Sequence, residues 1–360
     1  MYTKVFRLTL GFTILFVISC NPVQEPKEEI KYYANLAGII SPYLEYKGRG
    51  EVSADHALKI KHYQFTYVNG QLQRIAFFDQ SKPSCNSYFE AHLVEYQYES
   101  STLTRSYYGK QHEKSTFWRH YYLGNNLHKE VFLLDVDGKK TSLSLFDSLN
   151  QRAATGLGSY QFKFETINNQ QFIQTQHKKD GTSHFLTAYF PFDRSRITIN
   201  ELGFLYSIEN VDNLGNITVD SNAGYAKVIF DFDKHGNEMG WSFHDESDKL
   251  VNRKSRYGMD YGFAKVVYNF DWIEKEQGKY SSFEEKYFDK EDTPIANNQG
   301  VHEIEYSLDE QTEGIKEIAY FGTKGDAVDH GVYRYHRILF STTDGERQSQ
   351  TFSATGKPIY

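Results

Sequence analysis

Residues 262–271 read GFAKVVYNFD, and every second side chain is apolar. Ala264, Val266, Tyr268 and Phe270 fall on one side, with Lys265, Asn269 and Asp271 on the other. A period of two is met by a β-strand with one buried face and by no helix. The same register returns at Ala226, Val228, Phe230 and Phe232, and again at His302, Ile304, Tyr306 and Leu308. In that third copy Glu303, Glu305 and Asp309 occupy the opposite side, which therefore meets water. The copies open at Gly224, Gly262, Gly300 and Gly331, spaced by 38, 38 and 31 residues. In the last, Arg337 falls where the third apolar residue belongs, as expected of a terminal unit with no neighbour beyond it.

Each alternating stretch runs into a polar turn, such as Lys234-His235-Gly236-Asn237 or Thr343-Asp344-Gly345-Glu346. Gly, Asn and Asp tolerate positive φ, so such clusters close hairpins. A second aromatic strand follows: Trp241 with Phe243, Tyr287 with Phe288, Tyr320 with Phe321, and Phe352. A second turn closes each copy, as in HDESDKLV, YFDKEDTPI, YFGTKGDAV and TFSATGKPI. One such hairpin is marginal in water, so neighbours must stack to bury the aromatic stripe. The fold expected is all-β: an antiparallel meander of repeated hairpins forming an extended, twisted sheet or solenoid-like array. The 28 Tyr and 27 Phe, against 3 Met, suit pleated, half-buried surfaces.

At the other end, Lys4 and Arg7 precede an apolar run, Leu8 to Ile18, too short to span a bilayer comfortably. It ends in Val17-Ile18-Ser19-Cys20, which resembles a bacterial lipobox. That resemblance implies cleavage after residue 19 and acylation of the Cys20 thiol and amine, and several acyl chains hold a stable anchor. Loss of residues 1–19 removes two cations and moves the formal charge from −7 to −9, which argues against a nucleic-acid partner. Cys85 is then the remaining possible free thiol, and no intramolecular disulfide is available.

Residues 20–31, with Pro22 and Pro26, read as a flexible tether. Residues 32–150 are expected to be a β-hairpin region led by a short helix over Tyr32 to Leu44, ended by Ser41-Pro42. Three segments there share one spacing: Tyr67/Leu72/Arg74, Tyr98/Leu103/Arg105 and Tyr122/Leu127/Lys129. They look like degenerate relatives of the later hairpins. Gln151 to Gly158 is the best candidate for a break, 151–202 a connecting β segment, and 203–360 the repeat region.

The aromatic strand, the Asp233-Lys234-His235-Gly236-Asn237 turn and the Gly356-Lys357-Pro358-Ile359 turn are similar to the YD- and MORN-like repeats of bacterial envelope proteins. The tandem YD signature itself is absent. The resemblance implies a scaffold for binding, encapsulation or display, with no catalytic residue carried over.

Chemistry-bearing motifs are few. Asp135-Val136-Asp137-Gly138 opens like a calcium loop but lacks the later ligands and closing glutamate, so it reads as a hairpin turn. The 13 histidines, among them His112, His120, His128, His330 and His336, show no zinc-site spacing. Glu284, Glu285, Asp289 and Asp292 sit near aromatics as in a glycosidase cleft, yet such carboxylates recur in every copy, as turn and solvent-face residues do. Gly156-Leu157-Gly158 precedes no Lys-Ser/Thr and no helix, so it is not a phosphate loop.

The function expected is that of a membrane-anchored envelope lipoprotein, most simply at the outer membrane, whose β-repeat face binds a protein or glycan. It has no expected cofactor, metal or catalytic activity. The alternatives are an envelope carbohydrate-active hydrolase on a β scaffold, or a structural or assembly accessory protein.

Overall fold

The computed structural model describes residues 26–37, 41–85, 90–117, 126–187, 189–254, 262–275, 279–309, 314–343 and 346–359. The strands in the first half are β1 (Glu28–Leu36), β2 (Gly48–Val52), β3 (Lys61–Val68), β4 (Gln71–Asp79), β5 (Lys82–Pro83), β6 (Leu93–Tyr98), β7 (Thr102–Tyr108), β8 (Leu127–Leu134), β9 (Lys140–Asp147), β10 (Arg152–Ala153), β11 (Gln161–Thr166) and β12 (Gln171–His177). Those in the second are β13 (Ser183–His184), β14 (Arg194–Ile199), β15 (Leu205–Asn210), β16 (Lys227–Phe232), β17 (Glu238–His244), β18 (Lys265–Glu274), β19 (Lys279–Phe288), β20 (Glu303–Leu308), β21 (Ile315–Phe321), β22 (Arg337–Thr343), β23 (Glu346–Phe352) and β24 (Pro358–Ile359).

All 24 strands belong to one antiparallel sheet. β1 pairs with β2 on one side and β3 on the other. From β3 onward, spatial order follows chain order through nine successive hairpins to β23. The two-residue strands β5, β10, β13 and β24 fold back beside β4, β9, β12 and β23. Among the described residues no pairing joins β2 to β23, so the sheet is open. It passes the expected break at Gln151 to Gly158 without interruption, because β9 pairs directly with β11.

The unit of construction is the turn that closes a hairpin's second strand. Starting from Tyr108, Phe146, His177, Val211, His244, Phe288, Phe321 and Phe352, each strand end bridges the residue six positions on. The fourth residue after each start is left-handed: His112, Asn150, Gly181, Gly215, Asp248, Asp292, Gly325 and Gly356. A tight turn followed by one left-handed residue is the usual short hairpin closure, and it favours Gly, Asn and Asp. In four of these turns the same carboxylate holds the backbone. Asp147, Asp212, Asp245 and Asp289 each accept, through Oδ1, from the N–H groups two and four residues on, at 2.8–3.0 Å.

Three expectations need correction. Tyr32 to Leu36 is strand, not helix, because β1 pairs on both sides and its N–H and C=O groups are taken by the ladder. The described helix is one turn, α1 (Ala54–Ala57), capped by Ser53. The tether ends earlier than expected, since Glu28 to Lys31 pair with Val68 to Phe65. Gly331 is not the start of the fourth copy. His336 donates its N–H to Phe352 O as His302 does to Phe321 O and Ala264 to Phe288 O. Counting back two residues puts the equivalent of Gly300 and Gly262 at Arg334, which is left-handed as they are. In that register Ile338 and Phe340 take the apolar positions, and Arg337 faces outward beside Glu317 at 3.8 Å.

One face of the sheet carries the core, which forms a single cluster from Leu44 to Tyr320. Segments linking the hairpins lie over it: Phe117 stacks on Tyr107 (3.9 Å) and Phe263 on Tyr287 (4.6 Å). The loop between β1 and β2 crosses the same face. Tyr43 stacks on Phe172 at 4.0 Å, the Pro42 carbonyl accepts from Arg105 at 2.9 Å, and Tyr46 meets Tyr107 hydroxyl to hydroxyl at 3.0 Å. Lys47 reaches the Leu202 carbonyl, and Ala37 lies under Gly236. One loop touching β7, β12 and the turns at 202 and 236 requires the sheet to curl around it.

Candidate functional site

Arg49, on β2, brings its charge to bear on Glu238 at the start of β17. Further along the sheet the core-side face carries a group of aromatic rings. Its rings come from β18, β19 and β20, and the β18–β19 hairpin, with ten residues per strand, outruns its neighbours.

Pairing sets the arrangement. Tyr268 is opposite Glu285, Phe270 opposite Phe283, and Trp272 opposite Tyr280. Phe283 is opposite Tyr306 on the next strand. Side chains two apart share a face, and the register shift between Asp271 and Trp272 sets Tyr280 opposite Trp272, so one surface collects all of them. Phe283 stacks on Tyr306 at 4.4 Å and contacts Phe270 at 5.7 Å; Phe270 contacts Trp272 at 5.0 Å and Tyr280 at 4.7 Å. Trp272 and Tyr280 meet edge to face at 90°. These rings are half-buried, whereas Val266 and Tyr287, under Phe263, are buried.

Two carboxylates share the surface. Glu285 accepts from the Tyr287 hydroxyl at 2.6 Å and from the Tyr306 hydroxyl at 3.4 Å. Glu238 stands among Glu285, Tyr268 and Arg49, with no hydrogen bond or ion pair from any described residue. Burial, and then repulsion from Glu285, push its carboxyl up to about 7, while Arg49 pulls the other way. Burial and the Glu285 charge also hold the Tyr268 and Tyr287 hydroxyls well above the ordinary phenol range. The surface thus offers ring faces, a fixed carboxylate acceptor, and a carboxyl that is half protonated near neutrality.

Glu238 faces inward because of a bulge. The register shifts between Asp231 and Phe232, so Glu238 pairs with Phe232, whose side chain is on the core face. Strict alternation from Trp241 would have put Met239 there. The signal was Gly240: an isolated glycine inside a strand marks a bulge or a close approach. A Cβ at Gly240 would stand 2.5 Å from the Val266 carbonyl oxygen. Arg49 carries no sequence signal, since it arrives from the other end of the chain.

The residues singled out from sequence fall elsewhere or play other parts. Glu284 lies on the opposite face with Glu303 and Glu305, their carboxylate oxygens within 4.8 Å of one another. Lys286 sits among them, 2.6 Å from Glu284 and 3.4 Å from Glu303. Asp289 caps its closing turn and Asp292 takes the left-handed position. Asp135 caps the β8–β9 turn, accepting from Asp137 and Lys139, with Gly138 left-handed. Gly156-Leu157-Gly158 forms a turn closed from Gly158 N–H to Thr155 O. Cys85 is exposed, and Cys20, His120 and Tyr122 lie outside the described residues.

Histidine proves to be a repeat marker. His92, His128, His302 and His336 meet Phe78, Tyr108, Phe288 and Phe321 edge to face, at 5.2–6.0 Å. Their Nδ1 atoms lie 2.7–3.1 Å from a backbone oxygen of a nearby strand or link. The row spans both halves of the chain.

Among the described residues no helix is long and apolar enough to cross a membrane. No protein-family model matches the chain, and no curated protein matches it.

Proposed function

We propose that this chain is a lipid-anchored protein of the bacterial cell envelope, most simply of the outer membrane, whose curled repeat sheet binds a protein or glycan ligand. The observation that carries the binding reading is the aromatic row on β18, β19 and β20. Phe270, Trp272, Tyr280, Phe283 and Tyr306 are each only partly buried there, whereas Val266 and Tyr287 beside them are buried. Contiguous apolar surface left open on a soluble face marks interaction sites, and rigid aromatics lose little entropy on contact. The anchor rests on the basic start, the short apolar run and Cys20.

Two measurements test this. Cys20→Ala should release the protein from the membrane fraction; full retention there would end the anchor reading. Purified full chain should retain a component of envelope extracts, and Trp272→Ala should lose it. Equal retention by both proteins would end the binding-surface reading.

One observation favours a second reading, a carbohydrate hydrolase. Glu285 repels the Glu238 carboxylate across one surface, and a carboxyl raised by burial and a neighbouring glutamate suits the acid of an acid–base pair. Release of reducing ends from soluble polysaccharide by the wild type but not by Glu238→Gln would establish it. Their absence would leave binding alone.

A further inference from the structure

We infer that the open surface takes a neutral, unbranched glycan, its sugar rings lying along Tyr306, Phe283, Phe270 and Trp272 and its hydroxyls reaching Glu285, Glu238 and Arg49. This rests on the binding-surface reading above and names the ligand class for it.

Three features separate the glycan from other occupants. First, the rings form a row with steps of 4.4, 5.7 and 5.0 Å. A row that crosses from β20 through β19 to β18 suits a chain of repeating units, where one ammonium group would use only a single ring or two. Second, a polar group stands against the rings, where Glu285 accepts from the Tyr306 hydroxyl at 3.4 Å. A sugar ring has the matching make-up, with C–H faces that lie on aromatics and a rim of O–H groups that both donate and accept.

Third, Glu238 has no hydrogen bond from a described residue. An apolar protein surface laid over it would leave a buried carboxyl without a partner, which opposes binding. A cationic ligand would satisfy it, but Arg49 already places a positive charge beside that carboxyl. A hydroxyl serves it in either protonation state, by donating to the carboxylate or accepting from the acid.

The test uses the purified full chain, with tryptophan fluorescence and calorimetric titration. The probes are linear hexasaccharides of glucose (β-1,4 and α-1,4), xylose, mannose and N-acetylglucosamine, with choline as the cation probe. At least one hexasaccharide should bind and choline should not. Trp272→Ala and Phe270→Ala should each weaken that binding about tenfold or more, the loss of one stacked ring. Glu285→Gln, which keeps the rings and the shape, should also weaken it, and guards against a Trp272 variant that fails to fold. Tyr333→Ala, at an exposed ring in another part of the chain, should change nothing.

Binding of choline with no hexasaccharide bound overturns the inference, as does sugar binding indifferent to Trp272→Ala and Glu285→Gln. If no sugar binds yet Trp272→Ala still abolishes retention of an envelope component, the glycan is wrong and the binding surface stands. If that retention is also unchanged, both fall.

Discussion

Arg334 holds the backbone angle that Gly300 holds one repeat earlier: φ is 63° at the arginine and 81° at the glycine. Both stand three residues before the strand that opens a hairpin, and both leave room, since a Cβ on Gly300 would meet nothing within 4 Å. The difference between the two positions is therefore backbone preference alone. A left-handed L-residue costs about 1–2 kcal/mol, partly offset by the extra freedom glycine loses on folding. Gly300→Ala should lower stability by about 1 kcal/mol, and Arg334→Gly should raise it by up to about 1 kcal/mol. Urea midpoints of the two variants check this; a destabilised Arg334→Gly would mean the arginine side chain holds the turn.

The same pair explains what was legible. Alternation at Gly224, Gly262 and Gly300 revealed strands, faces and turns, because those copies keep glycine at the left-handed position. The fourth copy has arginine there, so a count from the nearest glycine, Gly331, slipped by three residues. In the first half one closing turn uses His112, and histidine is not a residue type that this position favours. The strand over Tyr32 to Leu36 was missed because its partners, β2 and β3, lie outside any local window. The aromatic row was readable as a stripe. Its partial exposure was not, since that depends on which segments lie over each strand and not on the strand's own alternation.

Arg105 and Glu130 are both fully buried, 3.6 Å apart, with the Tyr107 hydroxyl donating to Glu130 at 2.7 Å. The guanidinium also lies 4.6 Å from the Phe132 ring and holds the Pro42 carbonyl. Taking away the carboxylate leaves a buried cation with less compensation, a loss of about 3–5 kcal/mol. Glu130→Ala should show it as a shifted denaturation midpoint. Because Arg105 ties the β1–β2 loop to the sheet, hydrogen exchange near Tyr43 and Tyr46 should rise as well. A variant within about 0.5 kcal/mol of wild type, the usual range for a neutral surface change, would refute the pair's role.

Acid should destabilise the repeat row. Burial holds His62 and His128 below the ordinary imidazole value, against the pull of their backbone hydrogen bonds. A depressed histidine binds fewer protons folded than unfolded, so stability is full above the unfolded value and falls as pH drops through the folded one. His128→Gln should flatten the fall below about pH 6.5, the unfolded value. Denaturation midpoints from pH 7 to 4 decide it, and an unchanged acid slope counts against the histidine.

Glu238 gives the opposite sign. Its carboxyl rises from the ordinary 4.5 to about 7, so across that window the folded chain binds the proton more tightly than the unfolded chain. Stability is then fullest below 4.5 and declines as pH climbs to 7, by up to about 3 kcal/mol from a shift of that size. Glu238→Gln keeps the shape without the charge, so it should remove this decline and be the more stable protein at pH 8. Arg49→Ala removes the attraction that opposes the rise and should move the carboxyl higher still. Carboxyl chemical shifts of Glu238 followed from pH 4 to 9 read the value directly. A midpoint near 4.5 would place the group in ordinary solvent, and the same titration repeated with a bound glycan would show whether a hydroxyl reaches it.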